Sequence, residues 1–258
     1  MKLGIAATAP FGADVLERLA AQHEITFLLT RPGKPAGRGR KITAPPAKAV
    51  AERLGIRVLD EYEPSEVETI VAVAYGRLIP PDLLDRHLWL NVHPSLLPRW
   101  RGAAPVERAI MAGDPETGVT IIRLVEALDA GPIAAQRAFP IGPEDDAGIV
   151  YAKAAEIAAE LLDEVLPEPR FTPQPEEGAT YAEKLTAADR ELDWTSPAEE
   201  LERQVRALSP HIGARAELDG RRVTIWRARV QDGKLVPLEV QPEGRRRMSY
   251  DEFLRGLR

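Results

Sequence analysis

Short apolar runs separated by amphipathic stretches set the pattern of the first two-thirds of the chain. Residues 3–7 (LGIAA) form an apolar run, and residues 8–12 (TAPFG) read as a turn. Residues 14–21 (DVLERLAA) carry Val15, Leu16 and Leu19 at helical spacing, and residues 25–30 are a second apolar strand. Strand, helix and strand in that order predict a parallel sheet covered by helices. Residues 44–54 read as a further helix, 56–59 as a strand, and 69–74 (TIVAVA) as a strand buried on both faces. Residues 88–92 and 119–124 are further strand candidates, and 149–166 form an Ala-rich amphipathic helix.

The pattern then breaks. Four prolines fall within residues 167–175, which excludes a helix or a central strand and predicts an extended connector. Beyond it, Ser196-Pro197-Ala198-Glu199 reads as a capping box opening a helix that runs to about Leu208. Alternating segments at 214–218, 223–230 and 235–240, joined at Asp219-Gly220 and Asp232-Gly233, predict a small antiparallel β unit. The expected organisation is an α/β domain over 1–166, a Pro-rich linker over 167–180 and a β domain over 181–258.

Composition narrows the class. The 258 residues are 44% apolar and 29% charged, enough to bury a core, and the chain has no Cys. Disulfides, thiolate metal sites and a Cys nucleophile are therefore excluded. No apolar stretch is long enough to span a bilayer, and the opening lacks a secretory leader's apolar segment, so a soluble, cytoplasmic protein without membrane contact is expected. The net charge of −6 divides unevenly. Residues 1–204 hold 22 Lys/Arg against 33 Asp/Glu, whereas 205–258 hold 12 against 7. A basic tail on an acidic body fits either a polyanionic partner or a solvated Arg-rich surface.

Four stretches can carry chemistry. Asn91 and His93 lie two apart at a strand end, so both side chains emerge on one face, at the edge where parallel sheets bind ligands. An amide donor beside an imidazole suits a reaction that develops an oxyanion while a proton moves. The same pair also fits a turn cap and a structural His. Asp129, in Leu128-Asp129-Ala130-Gly131-Pro132, either orients the His or sits in an ordinary turn. Residues 31–51 hold six basic side chains and no acidic one, with Arg31, Lys34, Arg38, Arg40 and Lys41 in a Gly-rich loop suited to phosphate contact, or simply solvated. Arg77, Leu78 and Ile79, after a Gly and before Pro80-Pro81, offer backbone groups and apolar surface to a flat heteroaromatic ring, or merely end a strand.

Three segments in register resemble the 10-formyltetrahydrofolate-dependent formyltransferase family: residues 91–105 (NVHPSLLPRWRGAAP), Gly113-Asp114 with Thr117-Gly118-Val119-Thr120, and Leu128-Asp129-Ala130-Gly131. The basic loop, 180–185 (TYAEKL), 192–194 (LDW) and 238–244 (LEVQPEG) resemble the branch that formylates methionyl initiator tRNA. The resemblance implies a Rossmann-like catalytic domain and an OB-like C-terminal domain supporting tRNA binding, in a monomer that uses no metal. It implies that Asn91, His93 and Asp129 are catalytic. It further implies that Arg77, Leu78, Ile79 and the turn Ser95, Leu96, Leu97, Pro98 hold the folate donor, and that Arg31, Lys34, Arg38, Arg40 and Lys41 meet tRNA. The chain departs from the family in length: only residues 230–235 bridge Trp226 to the Gln-Pro-Glu-Gly segment, so the OB-like domain is shortened. The same chemistry on a sugar-nucleotide amine, or non-catalytic tRNA or folate binding, is the alternative.

Overall fold

A computed structural model of the chain describes residues 1–36 and 41–256. It opens with β1 (Lys2–Ala7), α1 (Pro10–Ala20), β2 (Glu24–Leu29), β3 (Lys34–Ala36), β4 (Lys41–Thr43), α2 (Pro46–Arg53), β5 (Arg57–Leu59) and β6 (Thr69–Val73). It continues with α3 (Pro81–Leu84), β7 (Leu88–His93), β8 (Arg101–Gly102), α4 (Pro105–Ala112), β9 (Glu116–Arg123), β10 (Ile133–Pro140) and α5 (Ala147–Val165). The remainder holds β11 (Tyr181–Ala182), α6 (Ala198–Leu208), β12 (Ala214–Leu218), β13 (Arg221–Gln231), β14 (Lys234–Pro242), β15 (Met248–Ser249) and α7 (Tyr250–Arg255). Among the described residues no helix is long and apolar enough to cross a membrane.

Seven strands form one sheet in the order β10-β9-β7-β6-β1-β2-β5. β1 pairs in parallel with both β2 and β6, and β6 in parallel with β7, while β9 lies antiparallel to β7. The chain leaves β1 toward β2 on one side and returns to β6 on the other. Loops at the carboxyl ends of β1 and β6 therefore face each other across a topological switch point, the usual ligand crevice of such sheets. All five residues of β6 are buried, as a strand covered on both faces requires.

Two local readings of the sequence are corrected. Helix α1 begins at Pro10, so residues 10–12 are helical rather than a turn. A proline at the first helical position costs no hydrogen bond, because that N–H has no intrahelical partner anyway. Helix α6 has Pro197 as its extended N-cap and no side-chain cap bond, so Ser196 does not form the expected box. Instead Asp193 Oδ1 accepts from the Thr195 amide and hydroxyl, and the Asp193 carbonyl accepts from the Ser196 amide. Elements β10, α4, β15 and α7 lie outside the segments read from the sequence, although α4 buries Val106, Ala109 and Ile110 at helical spacing.

The chain divides into two compact units, one of residues 1–101, 118–138 and 152–179, the other of 102–117, 139–151 and 180–258. In the second unit an antiparallel sheet runs β12-β13-β14-β15, an order that leaves β12 and β15 at its edges. Leu201, Val205, Leu208, Val223, Ile225, Val240 and Phe253 make its core. Its two Asp-Gly turns have left-handed pairs, φ +50° and +70° at 219–220 and +50° and +68° at 232–233, the geometry that tight hairpins demand. The Pro-rich stretch is extended but pinned: Thr172 and Ile133 exchange two backbone hydrogen bonds, of 2.8 and 2.9 Å.

Candidate active site

Strand β7 delivers Asn91 and His93 to one face at its carboxyl end, beside β6 (Ala72 opposite Asn91) and β9 (Ile122 opposite Asn91, Thr120 opposite His93). The chain leaves β9 at Arg123 and loops back so that Asp129 meets both side chains. The loop is closed by the Arg123 amide donating to Pro132 O at 3.0 Å. Gly131 is required there, since a Cβ would stand 1.8 Å from Arg123 O. Asp129 itself has φ +47°, a left-handed conformation that costs a residue with a Cβ more than a glycine but that aspartate adopts more readily than most.

The three side chains form a compact cluster. Asn91 Nδ2 donates to Asp129 Oδ1 at 3.3 Å, and Asp129 Oδ2 lies 3.6 Å from His93 Nδ1. The His93 and Asp129 side chains are only 5% and 11% exposed, so their attraction is little screened by water. His93 Nε2 is 2.8 Å from the Trp100 carbonyl. A carbonyl can only accept, so Nε2 carries a hydrogen, and in the neutral ring Nδ1 is the nitrogen with a lone pair to accept one. The hydrogen bond that orients the ring thus comes from Trp100, whose φ is +65°, and not from Asp129.

The turn after β7 is built from the inside. Thr120 Oγ1 donates to Ser95 O at 2.7 Å and accepts from the Leu97 amide at 3.2 Å and from Gln136 Nε2 at 2.8 Å. Ser95 is buried and its hydroxyl donates to Arg99 O; Leu97 is buried as well. Of the four expected donor-binding residues in this turn, Leu96 and Pro98 keep partial exposure. Thr120 enters the sequence reading only within a family segment, without a structural role, and Gln136 is not singled out there. For Thr120 the signal available was one polar residue inside the apolar run 119–122.

At the switch point, Thr8 Oγ1 donates to Tyr75 O at 2.9 Å and holds the loop that follows β6. Ala74 (φ +47°) and Gly76 (φ +73°) turn it sharply. Leu78 projects with 89% of its surface exposed, unusual for a leucine, while Ile79 packs on the core and Arg77 donates to Asp60 O at 3.0 Å. Burial pushes the Tyr75 hydroxyl up from its ordinary value, against the opposing charges of Arg77 and Arg31. Arg31 lies at this loop: its Nη1 is 3.3 Å from where a Gly76 Cβ would stand. The backbones of Lys34 and Lys41 pair within β3 and β4, and Arg38 and Arg40 lie outside the described residues.

A separate open groove of about 480 Å³, lined by Arg108, Tyr181, Glu183, Thr186 and Asp189, contains none of these groups. Its cation is engaged, with Arg108 2.6 Å from Asp189, which holds that carboxyl down at about 2. The Asn91–His93–Asp129 cluster is therefore the candidate site for chemistry.

Residues 3–166 match the formyl transferase family and residues 184–235 the formyl transferase C-terminal domain. The chain is 39% identical to a methionyl-tRNA formyltransferase of Cereibacter sphaeroides over 295 aligned positions, covering all of this chain and 96% of that one. Since 258 residues fill those positions, the relative carries stretches that this chain lacks. A methionyl-tRNA formyltransferase structure from Clostridium thermocellum superposes with a TM-score of 0.66 at 18% identity, covering 94% of this chain and 98% of that one. HypX from Aquifex aeolicus, in complex with tetrahydrofolic acid, superposes with a TM-score of 0.68 at 20% identity, covering 98% of this chain and 46% of that one. Both structures share the fold.

Proposed function

This chain belongs to the formyl transferase family and is a transferase enzyme, and we propose that it moves the formyl group of 10-formyltetrahydrofolate onto the α-amine of methionyl initiator tRNA. The observation that carries this reading is the meeting of Asn91 and His93, from the end of β7, with Asp129, from the loop after β9, within hydrogen-bond and ion-pair distance at the carboxyl edge of the sheet. The family matches at 3–166 and 184–235 support a catalytic domain over 1–166, a connector over 167–180 and a tRNA-binding domain over 181–258. We place this activity in translation initiation, in a cytoplasmic monomer.

Asn91 Nδ2 carries two hydrogens. One goes to Asp129, leaving the other for the formyl oxygen as the attacking amine turns it into an oxyanion. An α-amine titrates near pH 8, so an appreciable fraction is already nucleophilic at neutrality. The new C–N bond forms as that amine attacks. Nδ1 of His93 takes the proton that the amine sheds and returns it to the departing folate nitrogen, whose bond to the formyl carbon breaks. Asp129 stabilises the imidazolium in between. The exposed Leu78 and the partly exposed Leu96 and Pro98 supply apolar surface for the donor's ring. Arg31, Lys34, Arg38, Arg40 and Lys41 supply the charge that an acceptor stem requires.

The test is to incubate the protein with 10-formyltetrahydrofolate and methionyl-tRNA and follow formyl-methionine, with His93→Ala as control. His93-dependent product establishes both reaction and acceptor. Product from a sugar-nucleotide amine, with none from methionyl-tRNA, would replace the acceptor.

A further inference from the structure

The connector between the matched regions reaches into the catalytic cluster. Gln174 Nε2 donates to Asp129 O at 2.9 Å and to Gly131 O at 3.0 Å. Its other end, Oε1, accepts from Arg101 Nε at 2.7 Å. Arg101 is 3% exposed, and its two terminal nitrogens each lie 3.2 Å from a different oxygen of Glu176. The amide cannot be turned around: a guanidinium only donates, so Oε1 must face it, and the two carbonyls only accept, so Nε2 must face them.

We infer that Gln174 is a positioning residue for catalysis, a latch through which the connector holds Asp129 in its left-handed conformation, with Arg101 and Glu176 fixing the latch's orientation. The bonds fall on the carbonyls of Asp129 and Gly131, either side of Ala130, so they clamp the peptide geometry that aims the Asp129 carboxylate at Asn91 and His93. Arg101 immediately follows Trp100, whose carbonyl orients His93. One side-chain chain, Arg101 to Gln174, thus ties the backbone that orients the imidazole to the backbone that aims the carboxylate. Only Gln, among residues of this size, supplies an acceptor to the guanidinium and two hydrogens to the carbonyls. Glutamate retains the first contact and sets an oxygen against two oxygens.

This inference rests on the catalytic reading of Asp129, and the experiment separates the two. Formylation of methionyl-tRNA is measured for Gln174→Met, Gln174→Glu, Asp129→Asn and the Gln174→Met/Asp129→Asn double variant of the full chain. A thermal melt of each accompanies the kinetics. The expected result is a kcat lowered about 10- to 100-fold by either Gln174 change, with KM for both substrates within twofold, because the binding surfaces are untouched and only the alignment of a reacting group is lost. In the Asp129→Asn background, Gln174→Met should cost less than a further twofold. Should Met at 174 prevent folding, Gln174→Glu, which keeps the Arg101 contact, carries the comparison. Wild-type kcat in a folded Gln174 variant overturns the latch. So does a full multiplicative loss in the double variant, or a loss confined to KM. Wild-type kcat in Asp129→Asn overturns the catalytic reading itself.

Discussion

Strands β6 and β13 both sit inside their sheets, yet they are built in opposite ways. Every residue of β6 is buried, and the strand pairs with β7, which carries Asn91 and His93. Along β13, buried Val223 and Ile225 alternate with half-buried residues, and Arg221, Arg222, Arg227 and Arg229 are all exposed. The difference separates two kinds of work. Proton transfer and oxyanion stabilisation need polar groups held rigidly where water is scarce, which only loops pinned to a buried sheet provide. Attraction of a polyanion needs only exposed charge on a stable face, which a half-buried antiparallel sheet supplies. Damage to the first region should appear as lost rate, and damage to the second as lost affinity.

The largest expected effects are at the cluster. Asn91→Ala should lower turnover by about 10²- to 10³-fold, the usual loss for one oxyanion donor, and His93→Ala by about 10²- to 10⁴-fold for loss of the proton carrier. Circular dichroism should find both variants folded. Gly131→Ala comes next, since its methyl would meet Arg123 O at 1.8 Å and the loop must move. It should lower kcat about 10- to 100-fold and cost about 1–3 kcal/mol in chemical denaturation.

A smaller effect belongs to the Arg108–Asp189 pair. Hydrogen bonding from Arg108, with further support from Thr186, holds Asp189 at about 2, below the value of about 3.9 for the unfolded chain. A depressed carboxylate stabilises the fold above pH 4 and loses that contribution as pH falls from 4 toward 2. With side chains 22% and 19% exposed, the pair contributes about 1–2 kcal/mol after screening. Asp189→Asn should therefore lower the melting temperature at pH 7, and the gap from wild type should narrow below pH 4. The smallest change in stability, within about 0.5 kcal/mol, is expected for Arg227→Ala/Arg229→Ala. That variant should leave kcat intact, weaken tRNA binding and make it less salt-dependent, reducing the log–log slope by roughly one to two. A loss of kcat there would erase the contrast between the two regions.

Much of the catalytic half was legible because period and spacing are local. A two-residue step on a strand places Asn91 and His93 on one face whatever surrounds them, and an Asp-Gly pair between alternating segments makes a hairpin. Strand β10 was not legible, since IAAQRAFP has no clean alternation and is held by its neighbours. The box at Ser196 failed because Pro197, extended at ψ 142°, moves the helix start past it.

What the sequence by itself determined is the order of elements, the β-rich tail, the two basic stretches and the residue types able to do the chemistry. What only the tertiary structure decided is their alignment: that the Trp100 carbonyl selects the His93 tautomer, that Asp129 adopts a left-handed backbone, and that a glutamine from a Pro-rich connector holds it there. Those facts depend on contacts between residues 7 to 45 positions apart, made by irregular backbone with no period to read. A hydrogen bond between distant loops leaves no trace in the spacing of either one.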